Sequence, residues 1–166
     1  MTGNSSLLTY GLACILGATC AASAAAEPSN AAALAPYQTQ LFNLLTNGKS
    51  ILDKKNYHQP AFSARFDALL ASSSLAKADK TGVSLKKRLL SGPAAEGAVL
   101  TGLPGGRQFL YYDACQAHRC DDTSLGLLFD PASGRMVGKL NLDKQSEYLG
   151  APSESEKRLL QRAESQ

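Results

Sequence analysis

The stretch FLYYDACQAHRCDDTSLGLLFDPASGRMVGKLNL, residues 109–142, decides the fold. It holds apolar runs of strand length separated by short segments of turn chemistry. Arg107 to Ala114 is rich in Phe, Leu and Tyr and reads as one strand. Cys115 to Cys120 follows as a loop, and Thr123 to Phe129 reads as the next strand. Asp130-Pro131-Ala132-Ser133-Gly134 is a turn, because proline presets one φ and glycine accepts a positive one. Arg135 to Leu142 is a further strand, with Met136, Gly138, Leu140 and Leu142 on one face and Lys139 and Asn141 on the other.

Outward from this meander, Ala98 to Leu103 reads as a strand joined to the next by the Pro104-Gly105-Gly106 turn. Upstream the pattern changes to helices. Pro36 suits a helix start, Leu41, Phe42, Leu44 and Leu45 supply a short apolar face, and Asn47-Gly48 ends it. Gln59-Pro60 opens a second helix whose Phe62, Phe66, Leu69 and Leu70 form a buried stripe, closed by Ser72-Ser73-Ser74. Ser84 to Leu90 reads as a third, stopped by Gly92-Pro93. Downstream, Ser153-Glu-Ser-Glu156 is a capping box ahead of Leu159 and Leu160. The expected class is α+β: an antiparallel sheet of about four to five strands with helices packed on one face, one domain over 36–166.

The chain has 166 residues and a net charge of +3, too mild to imply nucleic acid. Its densest basic group, Lys77, Lys80, Lys86, Lys87 and Arg88, contains no aromatic residue and reads as a solvated helix face or linker. The first 26 residues carry no charged side chain; Leu7 to Ala18 is mostly apolar, and small residues lead to Ala26. This matches a secretory signal cleaved after Ala26, with 27–35 a flexible mature N-terminus. The expected location is the periplasm, without a membrane anchor; Cys20 follows a poor lipobox.

Cys14 and Cys20 fall within the signal, so the mature chain keeps Cys115 and Cys120. An even pair in an exported protein reads as a disulfide, worth about 2 kcal/mol for so small a ring. Its larger effect is on the shape of the residues inside: Gln116, Ala117, His118 and Arg119. A strand enters and a strand leaves, so the ring sits at a hairpin tip and protrudes. Several readings of Cys-x-x-His-x-Cys remain open at this point. The ring can be an inert hairpin closure or a rigid binding loop, which loses little entropy on docking. A zinc site would need a fourth ligand beside Cys115, His118 and Cys120. Redox catalysis expects Cys-x-x-Cys at a helix N-terminus, and a Cys–His nucleophile needs a free thiol. Asp121 and Asp122 flank the loop on one side and Asp113 on the other. Adjacent carboxylates make a poor acid/base pair, and Asp121 and Asp122 read as a solvated turn. Tyr111 and Tyr112 face opposite sides of their strand, one of them core, and His58 reads as a surface residue. No convergent nucleophile and base, phosphate loop or cofactor motif is visible, so the expectation is a protein that is not an enzyme and carries no cofactor or metal.

The run from Phe109 to Asp122, followed by Leu127-Leu-Phe-Asp130 and Gly134 to Leu142, resembles the Ivy family, inhibitors of vertebrate lysozyme. Members carry a hydrophobic strand and then a disulfide loop commonly reading Cys-Lys-Pro-His-Asp-Cys. The similarity covers roughly Gly97 to Leu142, with Tyr148-Leu-Gly-Ala-Pro152 matching the C-terminal region more loosely. The resemblance implies a periplasmic inhibitor of c-type lysozyme whose Cys115–Cys120 loop enters the enzyme's cleft, where His118 meets the two catalytic carboxyls. Lytic transglycosylases are a neighbouring target, a non-inhibitory envelope module is the other reading, and a homodimer is allowed. Here Gln116-Ala117 replaces Lys-Pro, and Arg119 stands where the family carries an acid.

Overall fold

The computed structural model describes residues 31–93, 95–101 and 106–164. The expected signal, Cys14, Cys20, residues 27–30 and the Pro104-Gly105 turn lie outside them. The meander is present as a five-stranded antiparallel sheet in which spatial order equals chain order. Its strands are β1 (Ala98–Leu100), β2 (Phe109–Cys115), β3 (Thr123–Asp130), β4 (Arg135–Leu142) and β5 (Gln145–Leu149). The helices are α1 (Ala31–Leu34), α2 (Leu41–Leu45), α3 (Pro60–Ser72), α4 (Ser74–Ala78), α5 (Leu85–Leu89) and α6 (Glu154–Glu164), with a 3-10 turn at Ala35–Tyr37.

The α+β class holds, and one feature of the arrangement differs from expectation: the sheet is covered on both faces. Leu110, Tyr112, Leu125, Leu127, Phe129 and Leu140 pack against the N-terminal helices. Phe109, Tyr111, Leu128 and Val137 point the other way and are covered by Leu159 and Leu160 of α6. The physical reason lies in the strands. β3 reads Leu-Gly-Leu-Leu-Phe without polar alternation, the signature of a strand buried on both sides. Tyr111 and Tyr112 are therefore both core, on opposite faces. Burial raises both phenols above their ordinary range.

On the larger face, α3 supplies Phe62, Phe66, Leu69 and Leu70, all buried as the stripe predicts. Phe62 meets Phe129 edge-on with ring centroids 4.8 Å apart, and Tyr37 lies 4.9 Å from Phe129. The Tyr112 hydroxyl donates to the Tyr37 carbonyl at 2.6 Å, so this buried phenol is satisfied. The packed chain begins earlier than the sequence suggests, because Leu34 is already buried in this core. The helix expected from Pro36 is split: the proline sits in the 3-10 turn, and α2 starts afresh at Leu41.

Two carboxylates tie the helices to the sheet. Glu147 of β5 accepts hydrogen bonds from the hydroxyls of Ser73 and Ser74 and from the backbone N–H groups of Ser74 and Leu75, so it caps α4. Glu156 completes the predicted capping box with Ser153 and also accepts two bonds from Arg135, at 2.7 and 3.0 Å. The β3–β4 turn forms as read, with Gly134 at φ +70° and Asp130 accepting from Ala132 N–H and the Ser133 hydroxyl.

The Ser73 hydroxyl, followed by the Ser74 N–H, lowers the Glu147 carboxyl from 4.5 to about 2; Arg135 does the same to Glu156. A depressed carboxyl contributes stability that is complete above its unfolded value and lost as pH falls through its folded one. Thermal unfolding followed by circular dichroism should therefore show a midpoint that drops between pH 4.5 and about 2. The Glu147→Gln, Glu156→Gln double variant should be less stable at neutral pH and visibly flatter across that window.

Candidate functional site

β2 and β3 pair from Leu110↔Phe129 to Cys115↔Ser124, and beyond that register the chain closes on itself. Cys115 and Cys120 form a disulfide with their Cα atoms 4.8 Å apart. Inside the ring, Arg119 N–H donates to the Gln116 carbonyl at 2.9 Å, which makes Gln116–Arg119 a tight turn. His118 is the third residue of that turn, at φ +63°. A non-glycine residue in the left-handed region costs roughly 1–2 kcal/mol. The covalent ring and the turn bond hold it there.

His118 is exposed, and none of the hydrogen bonds or ion pairs among the described residues uses its imidazole. Three other ring residues bond back to the protein. Gln116 Oε1 accepts from Arg88 Nε at 2.8 Å, and Ala117 N–H donates to the Ser91 hydroxyl at 3.1 Å. Arg119 folds back onto Asp122 at 3.3 Å and Asp143 at 3.0 Å, so its cation is matched within the molecule. Asp121 is exposed, and Asp122 is half-buried in the turn that closes the hairpin, where its N–H donates to the Arg119 carbonyl. Asp113 lies on the α6 side of the sheet, away from the apex; partial desolvation, reinforced by Glu164, pushes its carboxyl upward.

The residue that sequence reasoning missed is Arg88. Placed with the solvated lysines, it is instead only 5% exposed. Its guanidinium pairs with Asp79, donates to Gln116 Oε1, and reaches the buried Thr123 hydroxyl at 3.2 Å. One cation thus joins the end of α4, the helix α5 and both roots of the loop. Gly92, just after α5, is the second brace. A Cβ at this position would stand 2.3 Å from the Cys115 carbonyl oxygen and 2.9 Å from its sulfur, so the backbone can lie against the disulfide only with glycine here. A Gly after a helix reads equally as a simple stop signal, so nothing in the residue order signals this contact.

Chemically, the arrangement offers one donor–acceptor ring on a rigid post. Both sulfurs are used in the disulfide, so Cys115, His118 and Cys120 do not form a thiolate set for zinc or a nucleophile. Among the described residues no helix is long and apolar enough to cross a membrane. The chain matches no model of a known protein family and no curated protein.

Arg88→Met leaves Asp79 as a buried, unpaired carboxylate, which costs about 3–5 kcal/mol. Urea unfolding should register a loss of this size, and Asp79→Asn added to it should recover a large part. His118→Gly should leave stability unchanged or raise it by about 1 kcal/mol, since glycine accepts the turn without strain.

Proposed function

We propose that this protein is an exported inhibitor of a lysozyme-like glycosidase, of the Ivy kind, in which the Cys115–Cys120 loop occupies the enzyme's cleft and His118 is the group that meets its catalytic carboxyls. The observation that carries this reading is the unpartnered, exposed imidazole at the apex of a loop whose every other side of attachment is braced. Rigid presentation lowers the entropy lost on docking. A retaining glycosidase holds its two carboxyls about 5–5.5 Å apart. An imidazole carries nitrogens on opposite edges of a flat ring and can hydrogen-bond both, and such charge-assisted bonds are strong where water is excluded.

The departures from the family's loop bear on this reading differently now that their partners are known. Gln116 faces Arg88, so its side chain serves the scaffold in place of a ring-stiffening proline. Arg119 is neutralised by Asp122 and Asp143, and it presents no free cation to a basic enzyme. The protein itself performs no chemistry in this reading; it acts in the periplasm by exclusion, and the natural target is a c-type lysozyme or, by the same cleft geometry, a lytic transglycosylase.

The test is inhibition of a c-type lysozyme by the intact protein, by His118→Ala and by the Cys115→Ser, Cys120→Ser variant. Removing a central anchor residue from a desolvated site costs 2 kcal/mol or more, so His118→Ala should weaken inhibition by about thirtyfold or beyond. The ring-opened variant should weaken it too, through lost preorganisation. Equal potency in all three would discard the plug. Binding to a lytic transglycosylase without inhibition of lysozyme would move the target and keep the loop.

A further inference from the structure

The segment between α2 and α3 contains a second protruding tip, independent of the disulfide loop. Lys49 and Asn56 form an isolated antiparallel bridge, and the chain between them turns back sharply. Ser50 N–H donates to the Lys55 carbonyl at 2.7 Å, Lys54 N–H to the Ser50 carbonyl at 3.0 Å, and Leu52 N–H to the Ser50 hydroxyl at 3.2 Å. Asp53 accepts from Lys55 N–H at 3.1 Å and from the Tyr57 hydroxyl. The tip is therefore a defined structure. At its end stand Ile51 and Leu52, 86% and 78% exposed, the most exposed large apolar side chains among the described residues.

Two adjacent, almost fully hydrated aliphatic side chains on a hydrogen-bonded tip need an explanation that a scattered surface leucine does not. Their surroundings are cationic. Lys49, Lys54 and Lys55 are exposed around them, and Asp53, the one acid between Thr46 and Gln59, is turned onto Tyr57 and Lys55 N–H. Lys54 Nζ donates to the Ile51 carbonyl at 2.9 Å, and an apolar point with three exposed lysines in the same turn is complementary to a layered partner, apolar inside and anionic at its surface. The patch is also small: a stable protein–protein interface buries roughly 1,200 Å² or more, and the other exposed large hydrophobics, Phe42 and Val83, lie on separate elements.

We propose that the Lys49–Asn56 tip is a peripheral docking site for anionic phospholipid, with Ile51 and Leu52 entering the boundary between headgroups and acyl chains and the three lysines facing the lipid phosphates. Interfacial anchors of this kind combine buried apolar area with attraction to anionic lipid. No spanning segment is required.

The chain contains no tryptophan, so a single introduced indole reports its own position. Leu52→Trp and, as a control on a separate exposed site, Val83→Trp are mixed as full-length chains with vesicles of phosphatidylglycerol and phosphatidylcholine, and with phosphatidylcholine alone. The expected result is blue-shifted emission, quenched by lipids brominated along their acyl chains, for Leu52→Trp only and with the anionic vesicles only. Substituting Lys49, Lys54 and Lys55 by Gln should lower partitioning by about fivefold per residue. Unshifted Leu52→Trp emission, or equal shifts at positions 52 and 83, overturns the proposal. A shift that appears without lipid and grows with protein concentration also overturns it, because it assigns the tip to a second copy of the chain.

Discussion

The guanidinium of Arg88 is bonded to groups from three separate stretches of chain: Asp79 with Thr81, Gln116, and Thr123. A cation buried to this depth is tolerated only with its charge matched and its N–H groups engaged, and each partner here does one of those jobs. The consequence for the loop is that its two roots, one at the end of β2 and one at the start of β3, are fastened to the same rigid point on the helical layer. A disulfide alone would close the ring and leave it free to rock on the hairpin. With Arg88 below, Ser91 at its side and Gly92 against the sulfur, the ring has a fixed direction as well as a fixed shape.

That fixed direction is what makes an otherwise plain residue informative. Histidines on protein surfaces are common. His118 differs because its ring neighbours Gln116, Ala117 and Arg119 each bond back to the protein, and because its backbone is held in the left-handed region by a turn. The molecule bears a conformational cost at a side chain that none of the hydrogen bonds or ion pairs among the described residues uses. Such strain persists where the surroundings over-determine it, and it is often found at sites of recognition.

Much of this was legible from residue order. Strand β4 and the α3 stripe follow from periodicity alone, and the cap of α6 follows from Ser153 and Glu156. The ring follows from cysteine spacing in a strand–strand context. What could not be read depends on partners distant in sequence. α4 is five residues long, and beside its local cap Ser73 it has the N–H groups of Ser74 and Leu75 held by Glu147, more than seventy residues away. β5 reads Gln-Ser-Glu-Tyr-Leu, with no apolar alternation, and exists because β4 offers it an edge. Arg88 looks like its lysine neighbours until Asp79, Gln116 and Thr123 are brought around it. The place of α6 was hidden for the opposite reason: Phe109, Tyr111, Leu128 and Val137 were visible as apolar, and their alternation with an equally apolar set concealed that two faces needed cover.

The plain up-and-down order of the sheet also bears on how the molecule assembles. Every strand lies beside its neighbour in the chain, so pairing β2 with β3 requires closure of only the few residues between them. Loop closure is least costly at short separations. The cysteines can thus find each other as soon as a single hairpin zips, before any helix has docked. Neither Arg88 nor Gly92 lies between the two cysteines, so closing the ring requires neither of them. Oxidation need not wait for the rest of the chain, because the loop's covalent shape is a property of one hairpin.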